Sequence, residues 1–225
     1  VKILERSIPV TADKTVTSVW AVPPGYDRRR GIILAHGAGA GMDHPFIAFV
    51  HQRLAEHGLL SVKFNFPYME AGRKAPDRAP LLTATWRAVV AAVRRDRELA
   101  PERLFLAGKS MGGRIASLIV AEGEPCAGLI FLGYPLHPPG KPEKLRAEHL
   151  ARIACPMLFI QGERDRLCDL ATLRRVLAGL SAPVTLHAIP DGDHSFKVPK
   201  RTGRSEAEVW AEIVAVMRAW IENRR

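Results

Sequence analysis

The sequence is poor in cysteine and has no long apolar run, low-complexity stretch or internal repeat. Its three cysteines, Cys126, Cys155 and Cys168, are odd in number and lack metal-ligand spacing. That argues against a disulfide framework and a zinc module. Cys126 and Cys155 flank apolar runs and are expected as small core side chains. The longest apolar stretches are strand-sized, well short of a membrane span. Val1 to Arg6 carries charges where a secretion signal needs an apolar block. Together these features give the expectation of a reduced, cytoplasmic protein with no membrane partner. No linker interrupts the chain, so its 225 residues, 47% apolar, are expected as a single domain over 1–225. Acidic residues are scarce beside basic ones, 23 against 33, for a net charge of +10. The excess gathers at Arg28-Arg29-Arg30, at Arg94, Arg95 and Arg97, and from Lys197 to Arg204. No helix-turn-helix, zinc-finger or RNA-binding aromatic pattern accompanies it, so no specific nucleic acid is expected. What is left is a set of solvated faces, or attraction of anionic substrates or an acidic partner.

What is present is concentrated in Gly108-Lys109-Ser110-Met111-Gly112-Gly113. The apolar run Leu104 to Ala107 before it reads as a buried strand, and Ile115 to Val120 after it as a half-buried helix. A G-x-S-x-G between strand and helix is a nucleophile elbow: the turn pushes Ser110 Oγ into the open and leaves the first helical N–H groups unpaired. Two phosphate-binding readings fail on spacing. A Walker A loop needs glycine where Arg103 stands, and a dinucleotide fingerprint needs glycine at Met42 or His44.

Alternation predicts two antiparallel strands, Lys2 to Val10 and Thr15 to Pro23, followed by a strand at Gly31 to Ala35. A helix is expected from Pro45 to Gly58, a strand from Leu60 to Phe66, a polar loop from Tyr68 to Pro80 and a helix from Leu81 to Leu99. After the elbow come strands at Gly128 to Gly133, Pro156 to Gln161 and Val184 to Ile189. Helices are expected at Ala171 to Leu180 and Glu206 to Glu222. Strands alternating with helices imply right-handed crossovers and a mainly parallel twisted sheet covered on both faces. Reactive groups then belong beyond the carboxyl ends of the strands.

Two further residues fall on that edge. Asp165 follows the strand ending at Gln161, and His194 follows the strand ending at Ile189. The order Ser110, Asp165, His194 supplies a nucleophile, a carboxylate to orient the imidazole, and a base to take the hydroxyl proton. Asp169 is expected as a helix cap, Asp191 and Asp193 as turn formers. His36-Gly37-Ala38-Gly39-Ala40-Gly41 follows the first buried strand, so the N–H groups of Ala38 and Met111 are the candidate oxyanion donors. His36, Lys109, Tyr134 and His137 are candidates to line the pocket. Lys109 and Arg114 beside the elbow, with Arg73 and Lys74 in the preceding loop, either pair with carboxylates, stay solvated, or bias the pocket toward anionic esters.

These residues resemble the α/β-hydrolase superfamily over nearly the whole chain. Four segments, His36 to Pro45, Gly108 to Arg114, Gly133 to Gly140 and Gln161 to Asp165, resemble more narrowly a compact dienelactone-hydrolase-like group that includes the testis-expressed protein thirty. The resemblance implies an α/β-hydrolase fold and a serine hydrolase acting on a small ester or thioester without cofactor or metal. True dienelactone hydrolases use cysteine where this chain has Ser110, so their substrate does not carry over. A distant relative serves as a complex subunit, so a non-catalytic binding module for an acidic partner is the alternative. Only a loop and a short helix near Glu143 to Ile153 fit between Gly133 and Pro156, which leaves no room for a full cap domain.

Overall fold

The computed structural model describes residues 1–224. Eight strands form one sheet: β1 (Lys2–Thr11), β2 (Lys14–Val22), β3 (Arg30–Ala35), β4 (Leu60–Phe64), β5 (Arg103–Lys109), β6 (Gly128–Leu132), β7 (Met157–Gly162) and β8 (Val184–Ile189). Their spatial order is β1-β2-β4-β3-β5-β6-β7-β8. β1 and β2 form an antiparallel hairpin, and β2 runs antiparallel to β4. From β4 to β8 every pairing is parallel.

Six α-helices are described: α1 (Pro45–Glu56), α2 (Pro67–Glu70), α3 (Ala79–Arg95), α4 (Met111–Ala121), α5 (Leu170–Ala178) and α6 (Glu206–Glu222). The central strands are mostly apolar, as strands buried on both faces are, and their alternate residues serve two cores. Ile33, Leu104 and Leu106 pack with Trp86 and Val89 of α3 and Ile115 and Ile119 of α4. Ile32, Leu34 and Phe105 pack with Val50 and Leu54 of α1 and Ile213 and Met217 of α6.

Several boundaries differ from the sequence expectation. Tyr68 to Pro80 is not wholly a loop: Pro67 starts the short α2, and Tyr68 is fully buried, its N–H donating to the Asp77 carboxylate at 2.9 Å. α3 begins earlier and stops at Arg95, because Asp96 turns its carboxylate back onto the amides of Glu98 and Leu99. The short helix between β6 and β7 is one 3-10 segment, Glu148–Arg152, and no cap domain rises over the sheet. Cys126 and Cys155 are half-buried neighbours with sulfurs 3.5 Å apart, and it is Cys168 that is fully buried. No helix among the described residues is long and apolar enough to cross a membrane.

Candidate active site

The elbow forms because three backbones nearly touch. A Cβ on Gly108 would lie 2.2 Å from Gly113 N, one on Gly112 2.5 Å from His36 O, and one on Gly113 2.6 Å from Gly108 O. Only glycine fits there, and the crossing of β5 onto α4 forces Ser110 to φ 48°. A non-glycine residue is strained in that region. Arg114 N–H is the first helical amide to find a carbonyl, that of Ser110, at 3.1 Å. Neither Met111 N–H nor Ala38 N–H donates to any group among the described residues.

Asp165 and His194 arrive on separate loops after β7 and β8. The two loops meet over Gly162, where a Cβ would lie 2.4 Å from both Gly192 O and Asp193 O. His194 Nε2 lies 2.8 Å from Ser110 Oγ, and His194 Nδ1 lies 2.6 Å from Asp165 Oδ2. The ionised carboxylate can only accept, which places the proton on Nδ1 and leaves Nε2 to accept from the serine hydroxyl. Asp165 is buried, and its other contacts fix it: Oδ2 accepts from Gln161 Nε2 at 2.5 Å and Oδ1 from Leu167 N–H at 2.7 Å. Gln161 also accepts from Tyr134 N–H at 2.8 Å. Its part in holding Asp165 was not anticipated, although it opens the Gln161 to Asp165 segment singled out from the sequence.

A cleft of about 570 Å³ lies over Ser110 and His194. The loop residues Gly37, Ala38 and Ala40 form one wall. Phe46 and Ile47 at the start of α1, Leu167, and Trp210 of α6 form the apolar part. Phe46 and Trp210 stack edge to face, 5.5 Å between ring centroids. Helical spacing alone does not single out these α1 and α6 side chains as cleft residues.

Of the four pocket-lining candidates, only Lys109 reaches the cleft. His36 is fully buried beneath it: Nδ1 donates to Gly37 O at 2.8 Å, and Nε2 accepts from Phe66 N–H at 3.1 Å. Burial pushes its pKa down to about 4, so the ring is a neutral brace for the glycine loop. Tyr134 is buried with its hydroxyl donating to Arg146 O at 2.6 Å, and burial raises its pKa. His137 is buried too, its Nδ1 donating to Pro138 O at 2.9 Å and its N–H to Leu167 O at 3.3 Å. All three follow strands, as pocket residues do, but their strand ends turn inward.

The neighbouring acids behave as turn and cap chemistry dictates. Asp169 caps α5, accepting from Thr172 N–H at 2.7 Å, and Asp193 Oδ1 accepts from the amides of Ser195 and Lys197. Arg73 pairs with Asp77 at 2.5 Å. Neither Lys109 nor Arg114 forms an ion pair among the described residues, which removes the alternative in which both pair with structural carboxylates.

The family described as "Alpha/beta hydrolase domain" matches over residues 28–222. The fold is similar to that of a dienelactone hydrolase from Anabaena variabilis: TM-score 0.80, 19% identity, covering 99% of this chain and 98% of that one. It is similar to XC6422 from Xanthomonas campestris, described as an α/β serine hydrolase without lid: TM-score 0.74, 22% identity, covering 97% and 95%. Est1E from Butyrivibrio proteoclasticus is a third such structure: TM-score 0.76, 15% identity, covering 97% and 99%.

Proposed function

The chain belongs to the alpha/beta hydrolase family, and within it we propose a serine hydrolase that cleaves a small carboxylic ester or thioester through an acyl-enzyme. One observation carries the reading: the unbroken hydrogen-bond relay from Asp165 through His194 to a strained, cleft-facing Ser110.

In this mechanism Ser110 Oγ attacks the ester carbonyl carbon as its proton passes to His194 Nε2. The carbonyl electron pair moves onto oxygen, which the Ala38 and Met111 N–H groups receive. Each such donor is worth on the order of 3 kcal/mol in the barrier. Asp165 steadies the imidazolium without taking its proton. The tetrahedral intermediate collapses, the bond to the alcohol or thiol breaks, and His194 returns the proton to the leaving group. Water repeats the sequence on the acyl-enzyme, releasing acid and freeing Ser110. None of these steps calls on a metal or an organic cofactor.

The apolar walls at Phe46, Ile47, Leu167 and Trp210 and the absence of a cap domain favour short or surface-presented substrates. We place the chain in the compact dienelactone-hydrolase-like group on the four segments above. We take residues 1–225 as one domain because β1 and β2, ahead of the matched region, continue the same sheet. The test is a fluorophosphonate probe with peptide mapping, beside a panel of short aryl esters and thioesters. Stoichiometric modification of Ser110 with hydrolysis supports the enzyme. An unmodified Ser110 and an inert panel favour the binding module.

A further inference from the structure

Lys109 is the residue before the proposed nucleophile, and the mechanism does not use it. Its stem passes Gly37, where a Cβ would lie 3.5 Å from Lys109 Cγ. Its ammonium reaches Gly133, where a Cβ would come within 3.0 Å of Nζ, so the bare glycine at φ 71° leaves it space. The Phe196 ring centroid is 5.4 Å from Nζ. Lys109 lines the cleft beside Ser110, yet it makes no ion pair or hydrogen bond through Nζ among the described residues.

The carboxylates that act on it are engaged elsewhere. Asp165 serves His194, Gln161 and Leu167, and Asp193 holds the amides of Ser195 and Lys197. Among the described residues Glu206 is the one carboxylate on the cleft wall, and it is exposed. The α1 N-terminus opens on the same space with no acid in its first turn, which adds positive potential. A half-buried ammonium without its own counter-ion is a costly arrangement. Partial burial pushes its pKa down to about 8, against the opposing pull of Asp165 and Asp193.

Resting on the hydrolase reading above, we propose that Lys109 Nζ receives a carboxylate of the substrate, so that the cleft selects esters or thioesters carrying a negative charge near the scissile bond. The substrate then supplies the counter-ion that the fold withholds. The bond formed is charge-assisted, which makes it stronger than a neutral hydrogen bond.

The test compares kcat/KM for matched pairs. One pair carries the charge on the acyl side, mono-4-nitrophenyl adipate against its methyl ester. The other carries it on the alcohol side, 4-acetoxybenzoate against its methyl ester. For at least one pair the anionic-to-neutral ratio should fall by about tenfold or more in Lys109→Met, the scale of one hydrogen bond to a charged group. Lys109→Arg should retain part of it. In the unaltered chain that same ratio should fall as ionic strength rises, which needs no variant to fold. Ratios for both pairs that stay unchanged in Lys109→Met and with salt overturn the proposal. Fluorophosphonate modification of Ser110 in the same samples separates the two readings. With Ser110 modified and the ratios unmoved, only the role of Lys109 falls. With Ser110 inert, both fall.

Discussion

Ser110 lies 2.8 Å from His194, and two turns further along α4 Ser117 lies 2.7 Å from His149. A third pair, Ser61 and His51, lies 2.9 Å apart in the core. Distance therefore does not distinguish the site; the direction of the proton does. Ser117 gives its hydroxyl proton to Arg114 O at 2.7 Å, so its oxygen can only accept from His149 Nε2–H. Among the described residues no carboxylate bonds to His149, and burial with the Arg114 and Arg152 charges pushes its pKa down to about 4. At Ser110 the carboxylate of Asp165 fixes the opposite tautomer, and the left-handed backbone presents the hydroxyl to the cleft. The same two side chains form a structural tie in one place and the proposed reactive dyad in the other.

The largest effect expected from this contrast is that of Ser110→Ala. It should lower hydrolysis of activated aryl esters by about 10⁴-fold or more, since triad members act as a unit. Circular dichroism and the thermal midpoint should stay at the parent values. More than about a tenth of the rate surviving would remove Ser110 as nucleophile.

Asp165→Asn should cost roughly 10³- to 10⁴-fold in kcat, because the amide can stabilise the wrong imidazole tautomer. Asp169→Asn should leave the rate within about twofold and at most soften the α5 cap. A larger loss at Asp169 would reverse the assignment. Gln161→Leu should lie between them, since it releases Asp165 and orphans Tyr134 N–H. A lowered kcat with little change in KM would mark Gln161 as a positioning residue.

The buried imidazoles outside the site give a pH effect on stability rather than on chemistry. His36 and His149 have folded pKa values near 4 against an ordinary 6.5. The folded state therefore keeps them neutral while the unfolded chain binds protons. Their contribution is complete above pH 6.5 and is lost as pH falls toward 4, with a ceiling of ~3 kcal/mol for a deeply buried group. Urea midpoints over that range measure it, and His36→Gln should flatten the slope. An unchanged slope would show that His36 contributes nothing to it.

Ser117→Ala should have the smallest effect on catalysis. Activity within about twofold of the parent and a stability loss of about 1 kcal/mol are expected, because only a structural hydrogen bond is removed. A large loss of rate would mean that the second pair is more than a tie.

Much of this site was legible in the residues. Glycine at 108 and 112 announced a close backbone crossing, and the structure shows contacts there that no side chain could share. Asp165 and His194 were placed by the rule that reactive residues follow parallel strands. The same rule brought in His36, Tyr134 and His137, because strand position does not say whether the next side chain points toward the cleft or under it. Gln161 was hidden for a related reason: its role is a bond to the residue four positions on, created by the curl of one loop. Phe46 and Trp210 were hidden because an amphipathic helix shows the same spacing whether its apolar face meets core or cleft.

By itself the sequence determined the order of the strands and of the longer helices, the elbow and the three residue types of the proposed triad. These depend on local sterics, hydrophobic period and chain order, which a linear string records. Only the tertiary structure decided which histidine faces which serine with a carboxylate behind it, and that Lys109 reaches the cleft without a counter-ion. Those outcomes depend on where loops distant in sequence come to rest against one another, and on which charges are left over once every nearer partner is engaged.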